Sequence, residues 1–296
     1  MEQYILFDEL YKKEARAIEL FRMFEAVALN YHPEGYYLAF SGGKDSVVIH
    51  ALAEMARVKF KAHYHLTTVD PPELVAFIRS QYPEVEVDKP DITMWDLIVK
   101  KKIPPLRTAR YCCDVLKEQG GKGRFTVTGV RWQESEKRAE RDFVEIYNSG
   151  GKTHSLYLNC DNAEIRRQVE TCTLKGKRIL NPIIDWTEEE IWRFIRKYHL
   201  PYCCLYDQGF RRIGCIGCPL ASTKNREREF ERYPTYQRAY IHAFDRMVQA
   251  RSSEGKTKGG WQDGKSVFQW WMYGPPKTEK QIEGQIGMED WIDMAA

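Results

Sequence analysis

No stretch of this 296-residue sequence stays apolar over the roughly 20 residues a membrane-spanning helix needs. The start, Met1-Glu-Gln-Tyr4, lacks a basic region followed by an apolar one, so the expectation is a cytoplasmic protein without a membrane partner. Charge of one sign is also scarce: 45 Lys and Arg against 42 Asp and Glu leave a net +3, too little by itself to imply nucleic acid. The Walker pattern Gly-x-x-x-x-Gly-Lys-Ser/Thr cannot be laid over the chain's glycine turn at residues 41–46. What is present is a globular composition, 43% hydrophobic, with length for one sizeable α/β core and a smaller appendage. Eight cysteines in a cytosolic chain argue for metal or catalysis over a disulfide framework.

Residues Tyr36 to Phe40 form a short apolar, aromatic run with the pattern of a buried strand, and Val47 to Met55 continue with the spacing of a helix. Ser41-Gly42-Gly43-Lys44-Asp45-Ser46 is therefore the turn between them. Its glycines let the backbone approach a ligand closely, and the free N–H groups of the turn and helix start converge on one point. Such a nest at a positive helix end binds an anion, to which Lys44 adds a full charge and the serines add hydroxyl donors. Asp45 is a carboxylate beside an anion site, suited to holding a divalent metal or orienting the helix start.

The rest of the chain alternates strands and helices. An amphipathic helix from about Phe7 to Leu29 precedes the loop strand, and residues 59–68 read as a second strand ending in Thr67-Thr68-Val-Asp70-Pro-Pro. Thr68 and Asp70 fall where an open sheet contacts a ribose or base, and Asp70 equally suits the cap of the following helix. Residues Arg124 to Val130 are a β-branched run ending in Gly129-Val-Arg131-Trp-Gln-Glu134-Ser135-Glu-Lys-Arg138, either a second anion site or an exposed charged helix. Residues Gly150 to Arg178 read as an insertion or a loop over the site. A strand at 179–184 is followed by a helix capped by Thr187 with Glu190 closing the box. The alternation predicts a doubly wound, mostly parallel α/β sheet with flanking helices. The expected segments are an N-terminal helix (1–35), a nucleotide-binding domain with the cysteines (36–221) and a helical, aromatic C-terminal extension (222–296). In that extension a helix is expected from Thr223 through Ala250 and a flexible basic linker from Arg251 to Gly260. Its later aromatics, Trp261, Phe268, Trp270, Trp271 and Tyr273, suit packing first and a nucleic-acid strand second.

The wording Ala39-Phe-Ser-Gly-Gly-Lys-Asp-Ser46 resembles the pyrophosphate loop of the N-type ATP pyrophosphatases, and within them the phosphoadenosine phosphosulfate (PAPS) reductase branch. The segment Gly-x-Arg-x-x-Glu-Ser-x-x-Arg at 129–138 is similar to that family's nucleotide segment. The resemblance, spanning about Ala39 to Leu220, implies an adenine nucleotide alpha hydrolase-like fold and a site of Ser41, Gly42, Gly43, Lys44, Asp45, Ser46, Thr68, Asp70, Gly129, Arg131, Glu134, Ser135 and Arg138. Lys44, Asp45 and Arg131 would do the catalytic work.

Cys215-Ile-Gly-Cys218-Pro has the spacing of a metal-chelating knuckle, and its remaining thiolates must come from elsewhere. Cys112-Cys113 is the obvious remote supply. Tandem cysteines with a distant Cys-x-x-Cys resemble the 4Fe-4S arrangement of adenosine phosphosulfate reductases. Cys203 and Cys204 compete for the same role, structural zinc is the alternative metal, and Cys160 and Cys172 have no assigned place. No cysteine follows Cys218, where sulfonucleotide reductases of this family carry a nucleophilic one.

The resemblance thus implies an enzyme that splits ATP to AMP and pyrophosphate with Mg2+, activating an acceptor oxygen for sulfur transfer. Members it resembles include the sulfur-activating subunit of DNA phosphorothioation systems, which implies a nucleic-acid acceptor, a sulfur donor such as a cysteine desulfurase, and a homo-oligomer as possible partners. The alternatives are a sulfonucleotide reductase releasing sulfite and an ATP-sensing scaffold without turnover.

Overall fold

The computed structural model describes residues 9–118, 120–147, 153–156, 177–255 and 261–275. Most of the insertion expected at 150–178, with Cys160 and Cys172, lies outside them, as do Met1 to Tyr4 and residues 256–260 of the expected linker, whose first two residues, Arg251 and Ser252, are helical instead. Two compact units interleave along the chain. One takes Met1–His65, Pro72–Asp88 and Gln119–Ile213; the other takes Leu66–Pro71, Lys89–Glu118 and Gly214–Ala296.

The first unit holds a seven-stranded sheet built from β1 (Tyr36–Ala39), β2 (Phe60–His65), β3 (Glu86–Asp88), β4 (Phe125–Val127), β5 (Val144–Tyr147), β6 (Thr153–Leu156) and β7 (Lys177–Leu180). Their order is β3-β2-β1-β4-β7-β5-β6. The pairs from β3 across to β7 are parallel, and β5 and β6 extend the sheet antiparallel. This is the mostly parallel α/β sheet that the alternation predicted. The chain builds outward from β1 to β3 and then returns to lay β4 on the other side of β1. Strand order therefore reverses between β1 and β4, and ligands of open α/β sheets bind outside the carboxyl ends of the strands at such a point.

Helix α1 (Glu9–Tyr31) packs its apolar stripe on this sheet. Phe21 meets Tyr36 edge-on at 5.7 Å, Phe24 lies 5.9 Å from Phe125, and the Tyr36 hydroxyl donates to the Phe21 carbonyl at 2.8 Å. Helix α2 (Lys44–Ala56) is apolar on nearly every side, as a helix inside a core must be. Helix α3 (Pro72–Gln81) does not use Asp70 as its cap: that carboxylate accepts from the Thr67 N–H at 2.6 Å instead.

The second unit is helical, made of α4 (Met94–Lys101), α5 (Tyr111–Leu116), and, after the short α6 (Glu136–Ala139) and α7 (Glu188–Lys197) of the first unit, α8 (Thr223–Arg232), α9 (Pro234–Ser252) and α10 (Gly264–Tyr273). In α7 the box anticipated from sequence is formed: Thr187 Oγ1 accepts from the Glu190 N–H at 3.2 Å and Glu190 accepts from the Thr187 N–H at 2.7 Å. The single helix expected from Thr223 through Ala250 is two helices. Pro234 has no N–H and its ring collides with the preceding turn, so it opens a new helix after Tyr233. Phe230, Tyr240, Phe244, Phe268 and Trp271 share one buried core with Leu97 and Ile98, so most of the aromatics of this region serve packing. Among the described residues no helix is long and apolar enough to cross a membrane.

Candidate nucleotide site and cysteine cluster

The loop Ser41 to Ser46 leaves the carboxyl end of β1 and enters α2. Gly42 has φ of +71°, and a Cβ there would meet the Leu74 and Ile78 side chains at 2.7–2.9 Å, so backbone handedness and space both demand glycine. Ser46 Oγ donates to the Gly43 carbonyl at 2.8 Å and lies 3.3 Å from Ser41 Oγ, which ties the turn across its mouth. Lys44 is 5% exposed. Its backbone N–H donates to the Tyr206 hydroxyl at 2.9 Å, and its ammonium stands 5.6 Å over the Tyr206 ring.

The segment Gly129 to Arg138 leaves the carboxyl end of β4 and closes on the loop. Arg131, 3% exposed, donates from Nε to Asp45 Oδ1 at 2.7 Å. Lys44 Nζ lies 3.5 Å from the other oxygen of the same carboxylate and 3.9 Å from Glu188. Arg131 Nη1 is held by the Trp186 carbonyl at 3.3 Å and Gln133 at 3.2 Å, while its own N–H donates to Glu134 at 3.2 Å. Glu134 in turn pairs with Arg138. Burial first, then Arg212 and Arg141, hold the Arg138 guanidinium below the ordinary arginine range. Cations outnumber carboxylates here, the electrostatic condition for an anionic ligand. Gly129 rests against the Asp45 backbone, and Ser135 opens α6 without a side-chain cap bond.

Of the expected residues, the loop and the 129–138 segment come together in the first unit. Thr68 and Asp70 belong to the second, where Thr68, at φ +66°, accepts from the Met94 N–H at 2.9 Å. Tyr206, Glu188 and Arg212 were not singled out from sequence. A lone tyrosine in a cysteine-rich stretch carries no spacing signal, and only the fold brings it to the Lys44 amide.

The second unit gathers Cys112, Cys113, Cys215 and Cys218. Helix α5 places the tandem pair, and a turn closed by Cys218 N–H to the Cys215 carbonyl at 3.2 Å places the knuckle. The Cys112 thiol donates to Cys113, which, with Arg110 and Lys117, brings the Cys113 thiol down to about 5 against burial. Cys112 is pushed up by the same contact and by burial, and Cys218 is pushed up by burial, then by Cys215 and Cys113. Cys215 Sγ lies 3.4 Å from Thr67 Oγ1 and receives a hydrogen bond from Lys117, whose ammonium it holds above the ordinary lysine range. Cys203 and Cys204 belong to the first unit. Cys203 is buried beside Cys204, and burial pushes its thiol up to about 11.

The family model of the phosphoadenosine phosphosulfate reductase domain matches residues 35–221. An adenosine 5'-phosphosulfate reductase of Staphylococcus haemolyticus is 29% identical over 155 residues, 49% of this chain and 53% of that protein. An uncharacterized protein of Methanocaldococcus jannaschii is 22% identical over 278 residues, 92% of this chain and 60% of its own length. The chain thus spans 53% to 60% of the length of these two relatives. Among solved structures, PAPS reductase from Candida auris aligns with a TM-score of 0.45 and 16% identity over 67% of this chain and 87% of that one. With a match running from 35 to 221, across the Ser41–Ser46 loop, the 129–138 segment and every described cysteine, the chain belongs to the PAPS reductase domain family.

Proposed function

We propose that the protein cleaves ATP between the α and β phosphates and leaves AMP on an acceptor oxygen that sulfur then displaces. The observation that carries this is the charge constellation at the carboxyl ends of β1 and β4: Lys44 Nζ and Arg131 Nε converge on one carboxylate, at 3.5 Å and 2.7 Å. As the acceptor oxygen bonds to the α-phosphorus, the bond to the bridging oxygen breaks and pyrophosphate leaves with its electron pair. Lys44, Arg131 and the loop N–H groups stabilise the charge that develops on that leaving group. Asp45, whose carboxylate is one-fifth exposed, suits Mg2+, which is usually held by one or two carboxylates plus substrate phosphates. Arg138 and Arg212 add positive potential for the α-phosphate and acceptor, and a nucleic-acid acceptor matches that charge.

Cys112, Cys113, Cys215 and Cys218 fit a 4Fe-4S cluster, which would supply sulfur-handling chemistry when bound. A tetrahedral zinc site holds its sulfurs about 3.8 Å apart. Among the described residues no three cysteines bring their sulfurs within 4.8 Å of one another. A four-iron cluster spreads its thiolates over four separate irons and takes the wider set. Lys117 and Arg110 offset the negative charge the thiolates would bring.

The test is anaerobic protein with ATP and Mg2+, assayed for AMP and pyrophosphate. Pyrophosphate formation is expected in the wild type, and Lys44→Ala is expected to lower it by about 100-fold or more, as for loss of one preorganised charge donor. Equal turnover in the two proteins would refute the assignment. A second reading, reduction of a sulfonucleotide with release of sulfite, is favoured by the name of the Staphylococcus relative. Sulfite from adenosine phosphosulfate, without pyrophosphate from ATP, would select it.

A further inference from the structure

We propose that His63, His65, Glu86 and Asp88 form a site for one divalent transition-metal ion on the sheet of the first unit. Strands β2 and β3 are parallel neighbours, with His63 paired to Glu86 and His65 to Asp88. Side chains two apart on a strand share a face, so the register sets two imidazoles beside two carboxylates on one side of the sheet.

The spacing matches a coordination shell. Asp88 Oδ2 lies 3.1 Å from His63 Nδ1 and 3.6 Å from His65 Nε2. Nitrogen and oxygen ligands about 2.0–2.1 Å from a tetrahedral ion are about 3.3 Å from each other. One donor atom each from His63, Glu86 and Asp88 falls within 4.8 Å of the others, the one such group of His, Cys, Asp and Glu among the described residues. His65 is the fourth donor.

The ring of His63 is fixed in place with its Nδ1 toward Asp88. It is 9% exposed and stacked on Tyr37 at 4.3 Å and 15°, and its Nε2 is buried without a hydrogen-bond partner, which leaves the Asp88 side as its polar contact. The Tyr37 hydroxyl lies 2.5 Å from His65 Nε2, so that nitrogen exchanges the hydroxyl for the ion when it binds. Lys61, 3.8 Å from Glu86, is the cation the ion must displace. Two neutral imidazoles and two carboxylates balance a divalent charge, and imidazole with carboxylate suits zinc, iron or cobalt over calcium.

Cobalt(II) titration of the full chain separates this site from the cysteines. Thiolate ligation gives a sulfur-to-cobalt charge-transfer band in the near ultraviolet, whereas nitrogen and oxygen ligation gives visible d–d bands without it. One equivalent of sulfur-free cobalt is expected in the wild type. Asp88→Asn should weaken it by more than about 100-fold, since even outer-shell losses cost 10- to 100-fold. Glu86→Gln, at an exposed position on the edge strand, guards against a folding defect and should weaken binding by at least about tenfold. Cobalt bound only with the charge-transfer band, or sulfur-free binding unchanged in both variants, overturns the site.

Discussion

The Ser41–Ser46 loop and the cysteine cluster both gather several polar groups in one place, yet they are assembled in opposite ways. The loop takes six consecutive residues, Ser41 to Ser46, and its geometry follows from a strand before and a helix after. The cluster draws Cys112 and Cys113 from one helix and Cys215 and Cys218 from a turn about a hundred positions later. A local site depends on backbone conformation, and a distributed one depends on packing between distant segments. The first should fail by losing chemistry or by straining its own turn, the second by losing its ligand altogether.

The largest effect should fall on the distributed site. Cys215→Ser is expected to abolish iron binding and visible absorption in anaerobically purified protein, whereas Cys204→Ser, in the other unit, should leave both unchanged; iron analysis distinguishes the outcomes. Equal iron in the two variants would erase the contrast. Next is Arg131→Ala, which removes a buried guanidinium from Asp45 and the Trp186 carbonyl. It should cost about 3 kcal/mol in urea unfolding, because the partner carboxylate is left unpaired, and pyrophosphate formation should fall with it. Gly42→Ala tests the local side: a left-handed φ and contact with Leu74 and Ile78 predict a loss of about 1–2 kcal/mol by thermal unfolding.

The smallest effect concerns pH. His50, 2% exposed, is held below the ordinary 6.5 by burial, against the pull of Glu54 and Glu84. The unfolded chain then binds a proton more readily than the folded one. This group's contribution is fully present above about 6.5 and is lost as pH falls below it. His50→Gln should flatten that part of the stability profile, and an unchanged slope would place the titration elsewhere.

The same contrast explains what could be read from residues alone. The Ser41–Ser46 turn and the Thr187–Glu190 box were legible because each is written in a few adjacent positions, and the parallel sheet because strands and helices alternate along the chain. The break at Tyr233–Pro234 was missed although proline dictates it, because the charged run around it reads as one continuous helix. Asp70 looked like a cap because of the prolines after it, while its carboxylate turns back to Thr67. Tyr206, Glu188 and Arg212 reach the site through tertiary structure, which no spacing rule encodes. The competition between Cys203 or Cys204 and the tandem pair likewise could not be decided from spacing, because membership of one unit or the other is a property of the whole chain.

The interleaving of the two units has a consequence in time as well as in space. During synthesis Cys113 leaves the ribosome about a hundred residues ahead of Cys215, and at about 5–20 residues per second that interval is roughly 5–20 seconds. The sheet's last parallel strand, ending at Leu180, is made within it. The nascent chain can therefore complete the sheet that carries the Ser41–Ser46 loop while Cys112 and Cys113 still wait for Cys215 and Cys218.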